Sequence, residues 1–173
     1  MRKILNDYPK HKKVQLKIGE GRIFIKPTIV TTVLGSCVSV AFFCPAKTMG
    51  GIFHALMPEM PEGEKKMLVQ NHFKYVDSSI QQIVRLFERK GIKPHQLKAK
   101  VFGGAQAMMK GEIKPGQNNI RVAFELLAAH KIKILASDVG GRKGRNLIFI
   151  TDTGEVFVKT HKKSILGNLK EKK

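Results

Sequence analysis

The chain is poor in cysteine and in large aromatic residues, and it has no long apolar run. Its 173 residues include two cysteines, two tyrosines and no tryptophan. Two cysteines cannot form the disulfide framework of a small secreted domain, so both thiols are expected to be reduced. The most apolar window, residues 28–44, is too short and too interrupted by Thr, Gly and Ser to span a bilayer. We therefore expect no membrane insertion.

The start of the chain also lacks the apolar segment of a signal peptide. The residues that follow Met1 are mostly polar as far as Lys13. A secretory signal needs an apolar stretch of about 7–15 residues behind its basic start. Together with the reduced thiols, this pattern predicts a cytoplasmic protein.

Acidic residues are scarce relative to basic ones. Asp and Glu number 13 against 32 Lys and Arg, which gives a formal net charge of +19. Such a surplus favours acidic partners, of which nucleic acid is one. A nucleic-acid protein of this size is expected to place aromatics among its basic groups or to show a helix-turn-helix, RNA-recognition or KH pattern. The chain shows neither feature, so we expect no specific nucleic-acid partner.

The hydrophobic pattern indicates one domain that combines many strands with two main helices. We predict a basic N-terminal tail over 1–13, a domain over 14–160 and a basic C-terminal tail over 161–173. Apolar periodicity predicts helices over 69–90 and 118–130, with Asn118 as the cap of the second and Gly91 as the stop of the first. Strands are predicted over 14–18, 22–26, 28–34, 38–43, 49–56, 97–102, 132–136, 146–151 and 155–159. Without regular βαβ alternation, these elements favour an α+β layered fold.

One cysteine and one histidine carry most of the chemical information. Cys37 follows a Gly35-Ser36 turn, and His54 lies in a predicted strand 17 residues later. A thiol on a tight turn with an imidazole near it is what nucleophilic attack on a carbonyl or carboxamide requires. No competing catalytic set is evident in the rest of the chain.

Structural roles remain open for each of these residues. A single cysteine in an apolar segment is most often part of the core, and His54 alone could be a hydrogen-bonded strand residue. Zinc is an alternative use for Cys37, Cys44, His54 and His72, but no close cysteine pair starts a structural site, so we expect no metal and no cofactor. The pairs Gly103-Gly104 and Gly140-Gly141 match no phosphate-binding fingerprint and are expected to form tight turns.

Several segments taken in order resemble the CheD family, the chemoreceptor glutamine deamidases of bacterial chemotaxis. The resemblance covers residues 14–158. The segments are Leu34-Gly35-Ser36-Cys37-Val38 with Thr31 six residues before the cysteine, His54-Ala55-Leu56-Met57-Pro58, Lys74-Tyr75-Val76-Asp77, Val101-Phe102-Gly103-Gly104-Ala105, Asn118-Asn119-Ile120, Asp138-Val139-Gly140-Gly141-Arg142-Lys143-Gly144-Arg145 and Thr153-Gly154.

This resemblance implies both a fold and an activity. The fold is a single-domain, three-layer α-β-β sandwich with mostly antiparallel or mixed sheets. The activity is hydrolysis of selected glutamine side chains on chemoreceptor cytoplasmic domains to glutamate, with release of ammonia. The family triad carries over to Cys37, His54 and Thr31. A CheC-type phosphatase is the further partner that the family implies, and nothing in the sequence demands more than a monomer.

The chemistry of these side chains assigns each of them a task. A protonated His54 would stabilise the Cys37 thiolate, protonate the leaving nitrogen and later activate water. Thr31 would hold the second ring nitrogen, and the backbone around Gly35 and Ser36 would stabilise the oxyanion. In the family setting, the turn at Gly103 and Gly104 is expected near the same face of the protein.

Two other classes of function remain beside the enzyme. One is a non-catalytic docking or regulatory partner of a CheC-type chemotaxis phosphatase that keeps the fold. The other is a basic nucleic-acid protein, for which charge is the one supporting feature. Retention of Cys37, His54 and Thr31 favours the enzyme over an inert scaffold.

Overall fold

The computed structural model describes residues 2–65, 72–106 and 115–162. Its helices are α1 (Arg2–Asp7), α2 (Glu62–Lys65), α3 (Val76–Glu88) and α4 (Pro115–Ala129). Its strands are β1 (Lys12–Gln15), β2 (Gly21–Phe24), β3 (Thr28–Leu34), β4 (Val38–Cys44), β5 (Met49–Ala55), β6 (Lys98–Gly103), β7 (Lys133–Val139), β8 (Arg145–Ile150) and β9 (Val156–Thr160). Every strand predicted from the sequence is present, including the hairpin of β8 and β9.

The strands form two sheets. The first sheet has the order β1-β3-β8-β9 and the second has the order β2-β5-β4-β6-β7. Most neighbours are antiparallel, whereas β1 pairs parallel with β3 and β6 pairs parallel with β7. The sheets are therefore mixed, with antiparallel pairs in the majority.

Two apolar cores separate three layers. Helices α3 and α4 cover one face of the second sheet, where Phe42 packs in the same cluster as Phe87 and Leu127. A second cluster, which includes Leu34 and Phe149, lies between the two sheets. The order is thus helices, second sheet, first sheet, which confirms the α+β, three-layer α-β-β prediction.

The alternation of side chains along β4 decides which residues can enter each core. Val38, Val40 and Phe42 point toward the helices and belong to that cluster. Ala41 points the other way, into the space between the sheets, and Cys37 belongs to the same inter-sheet cluster. Because successive strand residues face opposite sides, odd-numbered positions on this part of the chain face the first sheet.

Helix α3 begins later than its apolar pattern predicts. Tyr75, which lies inside the predicted helix, is extended with φ −111° and ψ 142°, and the helix starts at Val76. Residues 69–71 of the predicted helix lie outside the described residues. The predicted stop is confirmed, because Gly91 has a φ of +74°, a conformation that favours glycine.

Helix α4 also begins at a different residue. Asn118 was predicted to cap it, but the helix already includes Pro115. Proline suits the first turn of a helix, because the backbone N–H that it lacks would have no intrahelical partner there. The Asn118 cap prediction is therefore wrong, and both asparagines lie inside the helix.

Residues 2–13 are not a free tail. They contribute α1 and the start of β1, in which Lys12 pairs with Thr28 of β3. The Tyr8 hydroxyl donates to Glu155 at 2.7 Å, and His11 Nε2 lies 2.8 Å from an Asp152 carboxylate oxygen. These contacts attach the N-terminus to the β8–β9 turn, which corrects the predicted boundary at residue 14.

At the other end, the structure is described as far as residue 162. The His161 N–H donates to the Gly144 carbonyl at 2.8 Å, so the chain is still held there. The rest of the predicted C-terminal tail, 163–173, lies outside the described residues. In the parts of the chain that are described, none of the helices is both long and apolar enough to cross a membrane.

Candidate active site

Cys37 and His54 face the same space between the two sheets. In the antiparallel pair of β4 and β5, Ser39 lies opposite His54. Cys37 is two residues before Ser39, so its side chain shares the face of His54 and the two are diagonal neighbours. Diagonal neighbours of this kind have Cα atoms about 7–8 Å apart, within reach of an imidazole ring. The structure thus brings together the two residues that the sequence singled out.

Both side chains lie just beneath the surface of the protein. Cys37 is 5% exposed and His54 is 3% exposed. Leu56 and Met57, which follow the His54 strand, are exposed, and the Gly35-Ser36 turn is half-buried. The thiol therefore lies almost fully out of solvent, beside a half-buried turn and an exposed strand end.

The hydroxyl of Thr32 fixes which ring nitrogen of His54 carries the proton. Thr32 Oγ1 lies 2.8 Å from His54 Nδ1 and donates its own proton to the Leu16 carbonyl at 2.9 Å. A hydroxyl has a single proton, so Oγ1 must accept a hydrogen bond from Nδ1–H. The neutral ring is then the Nδ1–H tautomer, with the lone pair on Nε2. Nε2 is buried and has no hydrogen-bond partner among the described residues.

The contact predicted for Thr31 is made by Thr32 instead. The Thr31 hydroxyl faces the Val14 carbonyl at 3.5 Å, on the outer face of the first sheet. Thr32 shares the inward face of β3 with Val30 and Leu34, which belong to the inter-sheet cluster. The prediction that Thr31 holds the ring is therefore wrong. Counting in steps of two back from Leu34 was the available signal for Thr32.

Burial keeps both the thiol and the imidazole neutral. Removal from water lowers the pKa of His54 to about 4. The same cause raises the pKa of Cys37, against a smaller opposing effect from a hydrogen bond of its own backbone. At neutral pH the resting site therefore holds a thiol beside an uncharged base. The imidazolium-stabilised thiolate expected from the sequence is not the resting state.

Hydrogen bonds from the protein interior hold the Cys37 turn by its carbonyl groups. The Gly35 carbonyl accepts from the Ala105 N–H at 2.8 Å, and the Cys37 carbonyl accepts from the Gly104 N–H at 2.8 Å. The Ser36 carbonyl accepts from the Asn119 side-chain amide at 3.1 Å. Three consecutive carbonyl groups of the turn thus accept hydrogen bonds. The proposed oxyanion role of the backbone at Gly35 and Ser36 stays a prediction.

Gly103 and Gly104 lie against this turn. Their φ values of +106° and +66° are in the region that favours glycine. A Cβ atom on Gly103 would lie 2.1 Å from the Cys37 carbonyl oxygen. The Gly103 carbonyl in turn accepts from the Gly140 N–H at 2.8 Å, so the two glycine pairs form adjoining turns. Gly103 and Gly104 therefore support the Cys37 turn.

Asn119 is a further residue of this region, and no role for it was predicted from the sequence. It is fully buried, and its side-chain amide donates to the Ser36 carbonyl and, at 3.0 Å, to the Leu56 carbonyl. Its spacing was the available signal, because Asn119 lies three and four residues before Val122 and Ala123 on the buried face of α4.

The zinc alternative does not match the arrangement of the cysteines. Cys44 belongs to the core beneath the helices, on the face of β4 opposite to that of Cys37. Within residues 2–65, 72–106 and 115–162, no group of three or more His, Cys, Asp and Glu side chains could hold a metal ion.

Fold and site together define a class of protein, the α-β-β sandwiches with a cysteine–histidine pair between the sheets at one end. A family profile described as CheD chemotactic sensory transduction matches residues 56–160. The chain belongs to the CheD family.

Similar proteins cover almost the whole chain. A protein of Geobacter sulfurreducens named "Probable chemoreceptor glutamine deamidase CheD 2" is 44% identical over 154 residues, which are 88% of this chain and 92% of that protein. Proteins named "Probable chemoreceptor glutamine deamidase CheD" from Oleidesulfovibrio alaskensis and Maridesulfovibrio salexigens are 40% and 35% identical. These matches cover 84% and 86% of this chain, and 71% and 91% of the relatives.

A solved structure with little sequence similarity has the same fold. A Neisseria meningitidis protein of the DUF152 family superposes with a TM-score of 0.50 at 9% identity, over 87% of this chain and 79% of that chain. The likeness supports the α+β architecture and carries no argument about chemistry.

Proposed function

We propose that this protein is a protein-glutamine deamidase that converts selected glutamine side chains of chemoreceptors to glutamate and releases ammonia. Relatives at 35–44% identity carry that name. The observation that carries the chemistry is the Thr32–His54 contact, because it leaves the Nε2 lone pair of a neutral base on the same face as the Cys37 thiol. Cys37 is the nucleophile, His54 the base and Thr32 the residue that orients His54.

The first half of the reaction forms a thioester. As Cys37 Sγ attacks the glutamine Cδ, its proton passes to His54 Nε2. Nδ1–H keeps its bond to Thr32 and spreads the new positive charge of the ring. The imidazolium then protonates the amide nitrogen, the C–N bond breaks and ammonia leaves. The negative oxygen of the tetrahedral species is stabilised by backbone N–H groups of the Gly35-Ser36 turn.

The second half restores the enzyme. Nε2 removes a proton from a water molecule, whose oxygen attacks the thioester carbon. The C–S bond breaks, Cys37 recovers its proton from the imidazolium, and a glutamate side chain is released. The balance is one carboxamide and one water consumed, and one carboxylate and one ammonium ion produced.

The buried thiol favours a substrate that is thin and can extend. Cys37 and His54 are nearly covered, so only a narrow group reaches them. A glutamine side chain ends in a flat amide on two methylene groups, which lets the backbone of the receptor remain outside. Binding of a CheC-type phosphatase is a separate prediction, and the monomeric state is one as well.

The test is incubation with a purified chemoreceptor cytoplasmic fragment, followed by mass spectrometry. Each deamidation adds about 1 Da to the fragment, because an amide becomes an acid. The wild-type protein is expected to modify the fragment, whereas Cys37→Ala and His54→Ala are not. Cys44→Ala is the matched control, because it removes the other buried thiol from the opposite face of β4. Equal product from the wild type and Cys37→Ala would overturn the mechanism.

A further inference from the structure

We propose that Asn119 is a positioning residue that holds the Cys37 turn and the end of the His54 strand in one fixed geometry. The proposal rests on the function proposed above. Asn119 does not touch the substrate. It acts through the backbone of the two segments that carry the reacting side chains.

The two acceptors of Asn119 belong to the two halves of the site. Ser36 directly precedes the nucleophile, and its carbonyl lies 3.1 Å from Asn119 Nδ2. Leu56 is two residues after His54, and its carbonyl lies 3.0 Å from the same nitrogen. A single NH2 group thus bridges the turn before β4 and the end of β5.

The chemistry of the bridge requires a group that can donate two hydrogen bonds, which the Asn119 amide does. Both partners are carbonyl oxygens, which only accept, so the group between them must donate twice. This requirement also fixes the orientation of the side chain, with Nδ2 toward the two carbonyls and Oδ1 away from them. Oδ1 is buried and has no partner among the described residues. Among the residues that the structure describes, the side chain is therefore held by its donor end.

The position of Asn119 in the fold makes the bridge rigid. The residue lies one turn inside α4 and is fully buried beneath it. Helix α4 packs on β4 and β6 of the second sheet, which are fixed by their own ladder. A change of about 1 Å in the placement of a reacting group can cost about a hundredfold in rate. Loss of the bridge is thus expected to lower turnover without removing any group that contacts the substrate.

Asn119→Asp is the sharpest variant, since it keeps the size and reverses the hydrogen bonding. A carboxylate offers no proton to the two carbonyls, and a protonated carboxyl group offers only one. On the receptor fragment we expect kcat to fall between about tenfold and about a hundredfold, with KM within about twofold. Asn118→Asp is the control, because it places the same charge one residue earlier on an exposed position of α4.

A second readout separates positioning from a general loss of stability. Alkylation of Cys37 by iodoacetamide, located by mass spectrometry, is measured in wild type, Asn119→Asp, His54→Gln and the double variant. If Asn119 aligns His54 with Cys37, His54→Gln lowers the rate by about tenfold in the wild-type background and by less than about twofold in the Asn119→Asp background. Equal effects in the two backgrounds would overturn the proposal.

The alkylation cycle does not require deamidase activity. The effect of His54→Gln on alkylation could depend on Asn119 even in a protein that leaves the receptor fragment unmodified. That result would support the positioning role and refute the proposed function. Asn119→Ser, which keeps one donor on a shorter side chain, is the second variant if Asn119→Asp does not fold. Failure of both variants to fold would assign Asn119 to the assembly of the core, and would overturn the proposal as well.

Discussion

At the scale of single residues, the order of hydrogen-bond donation along three groups determines which nitrogen of His54 is protonated. The Leu16 carbonyl takes the Thr32 proton, Thr32 Oγ1 takes the Nδ1 proton of His54, and Nε2 is left as a base. Each step follows from the number of protons that each group has to donate. The state of the imidazole is thus set by a backbone carbonyl just beyond the end of β1.

The two adjacent threonines offer a direct test of this order. Thr32→Val removes the oxygen that accepts from His54 Nδ1 and keeps the shape of the side chain. We expect it to lower kcat for receptor deamidation by about tenfold, the scale of an orienting contact to a general base. Thr31→Val makes the same change on the outer face of β3 and should stay within about twofold of wild type. The reverse ranking in a steady-state assay would contradict the geometry.

A buried neutral histidine also makes the fold sensitive to acid. The pKa of His54 is about 4 in the folded protein and near 6.5 in an unfolded chain. Between these two values the unfolded state binds a proton that the folded state does not, so stability falls as pH decreases from about 6.5 to 4. The full loss is on the order of 3 kcal/mol.

Urea unfolding of wild type and His54→Gln at several pH values measures this contribution. The difference between their free energies of unfolding should be constant above about pH 7. As the pH falls toward 4, the wild type should lose stability relative to His54→Gln. Carboxylates titrate in both proteins and cancel in the difference. A difference that does not depend on pH would contradict the neutral, buried state of His54.

At the scale of elements, the sequence predicted strands well and helix starts poorly. The β-branched and apolar runs of β3, β4 and β5 are long enough to identify each strand. The start of α3 was placed too early, because the apolar pattern continues through Phe73, which packs against the helix-side core without being helical. Pattern alone does not separate a residue that packs on a helix from one that lies inside it.

The site was predictable in part. The Gly-Ser-Cys turn and the spacing to His54 were sufficient to identify the cysteine–histidine pair. The choice between Thr31 and Thr32 depended on which face β3 turns inward. Alternation places Thr32 on the face of Leu34, but it selects Thr32 only if Leu34 is taken to face the core. The neutral state of His54 and the role of Asn119 depend on burial between layers, which arises only when the layers are assembled.

The support behind the Cys37 turn gives a prediction at the same scale. Gly103→Ala places a Cβ 2.1 Å from the Cys37 carbonyl oxygen at a φ of +106°. Backbone strain and overpacking together are expected to cost about 3 kcal/mol or more in the free energy of unfolding. Gly140→Ala is the matched control. Its φ of +74° is likewise unfavourable for alanine, but the new Cβ would lie in open space.

Thermal unfolding of the two glycine variants distinguishes these terms. Gly140→Ala should lose about 1–2 kcal/mol from strain alone. Gly103→Ala should lose more and should also lower the deamidation rate of the molecules that remain folded, since the turn that carries Cys37 must shift. Equal losses in the two variants would mean that the close approach at Gly103 has no energetic weight.

At the scale of the whole molecule, charge is the dominant property. A formal net charge of +19 on 173 residues produces a field that extends beyond any single contact. Such a field attracts an acidic partner and raises the rate of encounter more than it selects one glutamine among several. Selection is then left to the limited access to the buried Cys37.

Salt should therefore lower the rate at which enzyme and receptor fragment meet, and it should leave the rate of the chemical step unchanged. Raising the salt concentration from about 50 mM to about 500 mM shortens the range of the field and is expected to lower kcat/KM for an acidic receptor fragment by about tenfold. kcat at saturating fragment should change by less than about twofold. A short uncharged peptide that contains the same glutamine is the control, and an equal salt effect on it would contradict steering by charge.

The cover over Cys37 has one more consequence. Peroxides and other small oxidants react with sulfur mainly in its ionised form. Here the sulfur is 5% exposed, and burial raises its pKa, which lowers the fraction of thiolate at rest. A peroxide concentration that inactivates enzymes with solvent-exposed thiolates should thus leave the deamidase activity of this protein intact.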